Sequence, residues 1–271
     1  MAKRETLYHE LLKKQVVDKE DIERITKKIL DRKDVSYQYI YNEYITKLKQ
    51  EGKLLHPKRC LYVAVPPTKI NDESFTPDKY LIASKVQQGY YLGYHTALEI
   101  HGSAYSYFND VYIVVEPNRK FRSFEFKNIL YEPVYNSFQK VGLQKIDHKG
   151  QKIVVSSPSR TFLDCIDRPQ YSGGWEECLK SLESLPGVHT EELKTILKSM
   201  EKDILYRKTG LILSMFEDNP YYEGILSELK PYLKENMGTS TIYLSERSES
   251  ELNREWMLYV PKGFPDILRG V

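Results

Sequence analysis

Apolar positions in the first fifty residues repeat at helical spacing. Leu7, Leu11 and Leu12 share one side of a helix over residues 4–15, and Ile22, Ile25 and Ile29 share one side of a second over residues 18–30. Asp18 can cap the second helix, and Asp21 sits where the positive helix end favours a carboxylate. Ser36 caps a third helix that runs to about Glu51, with Ile40, Tyr44, Ile45 and Leu48 on its apolar side and Gly52 as its stop. Leu54 and Leu55, then Leu61, Val63 and Val65, flank His56-Pro57-Lys58-Arg59, which predicts two short strands joined by a basic turn. Three helices followed by a basic hairpin is the order of a winged helix-turn-helix, placed over residues 1–66. Pro66-Pro67-Thr68 opens a polar linker over residues 67–77.

Beyond the linker the periodicity becomes mixed. Residues 78–86 and 94–100 have helical spacing, while the β-branched run 111–115 and residues 121–126 and 129–135 read as strands. Residues 143–147 and 152–156 bracket His148-Lys149-Gly150-Gln151 as a hairpin. Ser157 then caps a helix with Pro158 at its first position, where the missing N–H is not needed. Further helices are predicted over 175–185, 190–201, 204–216 and 222–235, and strands over 241–244 and 256–260. The expected class is α+β: an N-terminal winged helix-turn-helix, then a larger mixed α/β domain over 78–271 whose C-terminal part is helical.

Composition narrows the function classes. With 41% hydrophobic and 29% charged residues the chain has enough apolar material for a core and does not fit the profile of a disordered protein. No apolar run approaches the roughly 18 residues of a membrane span, and the opening Met-Ala-Lys-Arg-Glu lacks the apolar centre of a signal peptide. The expectation is a soluble, cytoplasmic protein with no membrane partner. Cys60, Cys165 and Cys178 contain no Cys-x-x-Cys pair and read as ordinary thiols rather than a disulfide framework or zinc site. The net charge of +2 hides an asymmetry: residues 1–65 hold 15 Lys and Arg against 10 Asp and Glu, and the remainder 25 against 28. A basic N-terminal region points toward a polyanionic partner, although an ordinary lysine-rich surface gives the same count.

The third helix carries the most chemistry. If Ile40, Tyr44 and Leu48 face inward, the opposite side presents Gln38, Tyr41 or Asn42, and Lys49, with Ser36 and Tyr37 at the helix start. Gln and Asn can pair bidentately with adenine, while Ser, Tyr and Lys suit phosphates. Lys53, Lys58 and Arg59 on or near the hairpin would grip the DNA backbone. The competing reading makes Tyr39, Tyr41 and Tyr44 packing residues and the lysines a solvated surface.

Enzymatic signals are weaker. Asp110 followed by Glu125-Phe-Lys127 resembles the Asp, Glu-x-Lys pattern of metal-dependent nucleases, but Glu and Lys two apart on a strand are also a common exposed edge. Gly102-Ser103 with Asp110 resembles a nucleotidyltransferase signature in which Tyr112 occupies the second carboxylate position, and one carboxylate cannot clamp two metals. His95 and His101, six apart, lack helical metal-ligand spacing. Neither a nucleophile elbow nor a Walker-type loop is present. The expectation is a non-enzyme with no cofactor, no metal and no catalytic residue. The alternatives are a nuclease with a winged-helix targeting domain, or a non-catalytic protein-interaction module.

Several motifs also carry a family resemblance. The run from Ser36-Tyr-Gln-Tyr-Ile-Tyr-Asn-Glu-Tyr-Ile to Gly52-Lys-Leu, leading into Arg59-Cys-Leu-Tyr-Val, resembles the winged helix of AbiEi-type antitoxins from abortive-infection and related toxin–antitoxin systems. Leu81-Ile-Ala-Ser-Lys85, Gly89-Tyr-Tyr-Leu-Gly-Tyr-His-Thr-Ala-Leu98 with His101-Gly102, and Ser156-Ser-Pro-Ser-Arg-Thr-Phe-Leu-Asp164 with Arg168-Pro169 and Ser172-Gly-Gly174 are similar to that family's second domain. The resemblance covers about residues 8–216. It implies a repressor that binds repeats of double-stranded DNA in its own promoter, in an operon that also encodes a nucleotidyltransferase-like toxin. It further implies that the toxin is counteracted without a stable complex. Arg160 and Asp164, four apart on one helix side, are the antitoxin-domain candidates, with a mutual ion pair as the structural alternative.

Overall fold

Asp18 caps the second helix as its position predicts, its Oδ1 accepting from the Asp21 N–H at 2.8 Å. The computed structural model describes residues 3–137, 140–245, 249–264 and 266; Met1 and Ala2, with which the N-terminal reading begins, lie outside the described residues. Helix α1 spans Lys3–Lys14 and helix α2 spans Lys19–Leu30. Between them lies a strand that the periodicity missed, β1 (Val16–Asp18), since three residues are too few to show a period of two. It pairs antiparallel with β3 (Leu61–Ala64), Val16 facing Val63, and β2 (Leu54–Lys58) lies on the other side of β3. The hairpin turns through Arg59 and Cys60, and Cys60 takes a left-handed φ of 64°.

The third helix is not uniform. It begins as α-helix (Tyr37–Ile40), passes through a π-turn (Tyr41–Ile45) and finishes as α-helix (Thr46–Gln50). Ser36 caps it, accepting from the Tyr39 N–H at 3.3 Å. Within the π-turn the Thr46 N–H reaches the carbonyl of Tyr41, so one turn holds an additional residue. The buried positions are therefore Ile40, Ile45 and Leu48, and Tyr44, expected on the apolar side, is only half-buried. Gly52, with φ 68°, ends the helix, and the Lys53 N–H closes onto the Leu48 carbonyl at 2.9 Å. Leu7, Leu11, Val17, Ile22, Ile40, Ile45 and Leu48 form the core under these elements.

Two compact units result, each assembled from three stretches of chain. The first comprises Met1–Tyr90, Asn109–Tyr135 and Lys145–Ile153; the second comprises Tyr91–Phe108, Asn136–Gln144 and Val154–Val271. This division differs from one drawn at residues 66 and 77: the stretch 67–77, with its short 3-10 turn Pro67–Lys69, belongs to the same unit as α1 to β3.

In the first unit, β5 (Asp110–Val115) runs parallel to β7 (Ile129–Tyr135), whose other edge takes β6 (Phe124–Phe126) antiparallel. Strand β6 is shorter than the predicted 121–126. Lys127 and Asn128, both at positive φ, make the two-residue turn between β6 and β7. The Lys79–Ala83 helix is capped by Asp78, whose Oδ1 accepts from the N–H groups of Tyr80 at 3.0 Å and Leu81 at 2.9 Å. Its Oδ2 lies 2.8 Å from His148 Nε2 and 2.9 Å from Lys149 Nζ. Burial pushes the Asp78 carboxyl upward, but the Leu81 N–H, Lys149 and His148 together outweigh it and hold the group below its ordinary 3.8. Its stabilising contribution is therefore present above pH 4 and lost as the pH falls through the depressed value. Asp78→Asn is expected to lower the unfolding free energy by about 1–3 kcal/mol at pH 7, with the difference from wild type shrinking by pH 3. Urea titrations at the two pH values check this, and a deficit that is the same at both would remove the carboxylate from the account.

Leu92, the last residue of β4 (Tyr90–Leu92), pairs in parallel with Val155 of the strand Gln151–Ser156, and both paired residues belong to the second unit. Ser157 caps the Pro158–Asp167 helix, its Oγ accepting from the Arg160 N–H at 3.2 Å. That helix packs with Gly174–Glu183, Thr190–Met200, Asp203–Met215 and Ile225–Asn236 around Phe162, Leu179, Ile196, Leu213 and Leu229. A small sheet follows in which Ile242–Tyr243 runs parallel to Leu258–Pro261 and Ser250–Asn253, a strand not predicted, runs antiparallel to it. Among the described residues no helix is long and apolar enough to cross a membrane.

Candidate nucleic-acid interface

The exposed side of the third helix carries Gln38, Tyr39, Asn42 and Glu43. Gln38 Nε2 donates to Asn42 Oδ1 at 3.1 Å, fixing the two amides against each other. The bond leaves the Gln38 carbonyl oxygen and the Asn42 amide N–H for a ligand. One donor and one acceptor side by side match the N7 and N6 edge of adenine in the major groove. The Ser36 hydroxyl accepts the capping bond and keeps its own proton for a phosphate oxygen. Tyr39 is 46% exposed, its ring 6.3 Å from that of Tyr44.

The other helix candidates are more enclosed. Tyr37 is half-buried with its hydroxyl 2.9 Å from that of Tyr62, and burial followed by the Tyr62 hydrogen bond pushes its phenol far above the ordinary range. It is a protonated packing group, with the Lys19 ammonium 4.9 Å from its ring centre. Tyr41 is half-buried beside it, and Lys49 lies 6.0 Å from the Tyr41 ring.

The three basic residues near the hairpin separate clearly. The Lys53 side chain is 19% exposed and is held by Glu5 at 2.6 Å and Glu51 at 2.8 Å, so its charge is matched within the fold. Lys58 stands over the rings of Phe121 and Phe124, at 4.6 and 4.8 Å, and burial holds its ammonium below the ordinary lysine range. Neither is displayed for the backbone grip expected of it, because Glu5 and Glu51 pair with the Lys53 ammonium and the rings of Phe121 and Phe124 lie against that of Lys58. Arg59, at the turn, is exposed.

Arg160 and Asp164 are brought together but are buried. Arg160 Nε donates to Asp164 Oδ1 at 2.8 Å, Nη1 to the Val141 carbonyl at 3.1 Å and Nη2 to the Tyr91 hydroxyl at 3.2 Å, while Tyr91 donates to Asp164 Oδ2 at 3.0 Å. Burial pushes the Asp164 carboxyl up and Arg160 pulls it back. From these positions neither side chain touches solvent or an external partner.

The residues of the nuclease alternative are not convergent. Asp110 and Glu125 both register with Leu130 from opposite edges of β7, which separates them by two strand spacings of about 4.8 Å each. Lys127 lies in the turn after β6 and donates to the Glu73 carbonyl at 2.7 Å. His95 is buried and stacked on Phe108 at 3.7 Å, and His101 Nε2 lies 2.9 Å from the Ser156 carbonyl. Among the described residues no three His, Cys, Asp or Glu side chains are grouped to hold a metal ion. Cys165 and Cys178 are buried and Cys60 half-buried, all three as free thiols.

The fold defines an α+β protein. Its sequence matches no protein-family model and no curated protein. Its structure is similar to the crystal structure of the RV2827C protein from Mycobacterium tuberculosis, with a TM-score of 0.64 and 17% sequence identity over 94% of this chain and 89% of that one. At that identity the likeness concerns the fold, and it extends over nearly the whole length of both chains.

Proposed function

We propose that the chain is a sequence-specific DNA-binding repressor whose residues 1–66 act as a winged helix-turn-helix, and that it serves as the antitoxin of a toxin–antitoxin operon whose promoter it controls. The Gln38–Asn42 amide pair carries the DNA reading: two hydrogen-bonded, exposed amides near the start of a capped helix, followed in the chain by a hairpin whose turn exposes Arg59. The π-turn adds support, since such insertions are enriched at functional sites. Three helices and a three-stranded antiparallel sheet in the order α1, β1, α2, third helix, β2, β3 suit insertion of the third helix into a major groove. The antitoxin half rests on the sequence resemblance over residues 8–216, which also supplies the nucleotidyltransferase-like toxin as functional partner. Growth rescue on co-expression with the product of the neighbouring gene tests that half.

Binding of the full chain to the duplex upstream of its own gene, against a scrambled duplex of equal length, tests the DNA half across a salt series. Preferential binding that weakens steeply with salt is expected. Gln38→Ala should reduce discrimination among operator variants by about 1–3 kcal/mol. Arg59→Ala should instead weaken all duplexes alike and lower the salt slope by about one. Equal, weak binding to both duplexes, or the same pattern of loss for both substitutions, would defeat the assignment.

A further inference from the structure

The connection between β5 and β6 carries Arg119-Lys120-Phe121-Arg122, three cations in four residues. All three cations are exposed. The connection is fixed against the β2–β3 hairpin: Lys58 Nζ donates to the Arg122 carbonyl at 3.4 Å and sits over Phe121 and Phe124. The Tyr135 hydroxyl donates to the Phe121 carbonyl at 2.7 Å. At the other end Gln87 Nε2 donates to the Arg119 carbonyl at 3.2 Å, and Arg119 Nη1 donates to the Gln88 carbonyl at 3.1 Å. Arg119 and Arg59 line one surface groove of about 400 Å³, together with Lys19 and Lys85.

The charge balance of this region favours an anion. Glu116 lies 3.7 Å from Arg119 Nε, Asp18 and Glu20 also line the groove, and Lys85 is taken by Asp21 at 2.6 Å. Among the described residues no carboxylate forms an ion pair with Arg59, Lys120 or Arg122. A cationic loop whose backbone is already fixed loses little conformational freedom when phosphates dock on it, so its charge is converted efficiently into affinity.

We infer that the Arg119–Arg122 loop is a second phosphate-binding arm that continues the basic rim of the hairpin onto residues far along the chain. The inference rests on the DNA-binding reading above and extends its footprint. It also changes the part played by Lys58, which becomes the buttress joining arm to hairpin rather than a phosphate ligand. Contacts of this kind add affinity without sequence information.

The test uses the full chain carrying Lys120→Gln and Arg122→Gln, with labelled duplexes of the upstream region and of scrambled sequence between 50 and 200 mM salt. The expected result is a loss of roughly ten- to thirtyfold on both duplexes near physiological salt, and a log K against log salt slope shallower by about two. The preference between duplexes and the thermal unfolding midpoint should be unchanged, and Lys120→Arg with Arg122→Lys should restore binding. Wild-type affinity and slope in the Gln variant, while Arg59→Ala loses binding, would overturn the arm and leave the repressor reading standing. Absence of salt-sensitive binding by the wild-type chain would overturn both.

Discussion

Asp164→Ala is expected to destabilise the protein by about 3–5 kcal/mol, because it strands a guanidinium that has no route to water. Arg160 is fully buried; it donates to Asp164, to the Val141 carbonyl and to Tyr91, and the Tyr91 hydroxyl donates in turn to Asp164. Removing the carboxylate takes the anion from that set, together with the oxygen that accepts from the Tyr91 hydroxyl. Relocating Arg160 is obstructed at Gly142, where even a Cβ would come within 2.8 Å of the Arg160 Cβ and of Ile196. Exchanging both partners, Arg160→Met with Asp164→Leu, should recover much of the loss, since two apolar groups need no counter-charge. Chemical denaturation of the three variants measures this, and a loss below 1 kcal/mol for Asp164→Ala would mean that the pair contributes little.

Gly210→Ala is expected to lower stability by about 3 kcal/mol, opposite in sign to the usual gain of about 1 kcal/mol from replacing glycine inside a helix. Gly210 lies within Asp203–Met215, and a Cβ there would fall 2.3–2.4 Å from Cζ3, Cε3 and Cη2 of Trp256. The indole is fully buried and rigid, so it cannot swing aside as a flexible chain end would. A paired Gly210→Ala, Trp256→Leu variant should be less impaired than the sum of its single changes, because the clash and its cause are removed together. Melting curves and denaturant midpoints of the four species check the coupling; a Gly210→Ala protein as stable as wild type would show that the tryptophan does not press on this helix.

Much of the architecture was legible wherever a local signal sufficed. Asp18, Ser36 and Ser157 each accept from a backbone N–H at a helix start, and Gly52 turns left-handed at a helix end. What escaped was set by partners distant in sequence. Strand β1 exists because β3 pairs with it, and no pattern within three residues reports that. The π-turn changes which residues of the third helix face inward, so Tyr44, on the apolar side of a regular 3.6-residue period, is only half-buried in a helix that does not keep that period. Lys53 and Lys58 read as free cations because Glu5 and Phe121 lie 48 and 63 positions away from them in the chain. The same blindness hid the Arg119–Arg122 cluster, which has the charge of a binding segment but gains its meaning from the hairpin it is packed against.

The stitching of each unit from three separate stretches also governs when it can be finished during synthesis. The unit containing the third helix is not complete until residue 153 has been added, although its first stretch ends at Tyr90. At about 5–20 residues per second, the ribosome spends on the order of 3–13 seconds making the intervening chain. For most of that interval Asp78 waits for His148 and Lys149, and Lys58 waits until residue 124 for the aromatic rings that cover it. Nascent chains therefore pass through a period in which the basic N-terminal helices exist without their later supports, and translational pausing after residue 153 rather than after residue 66 would mark the point where that half can close.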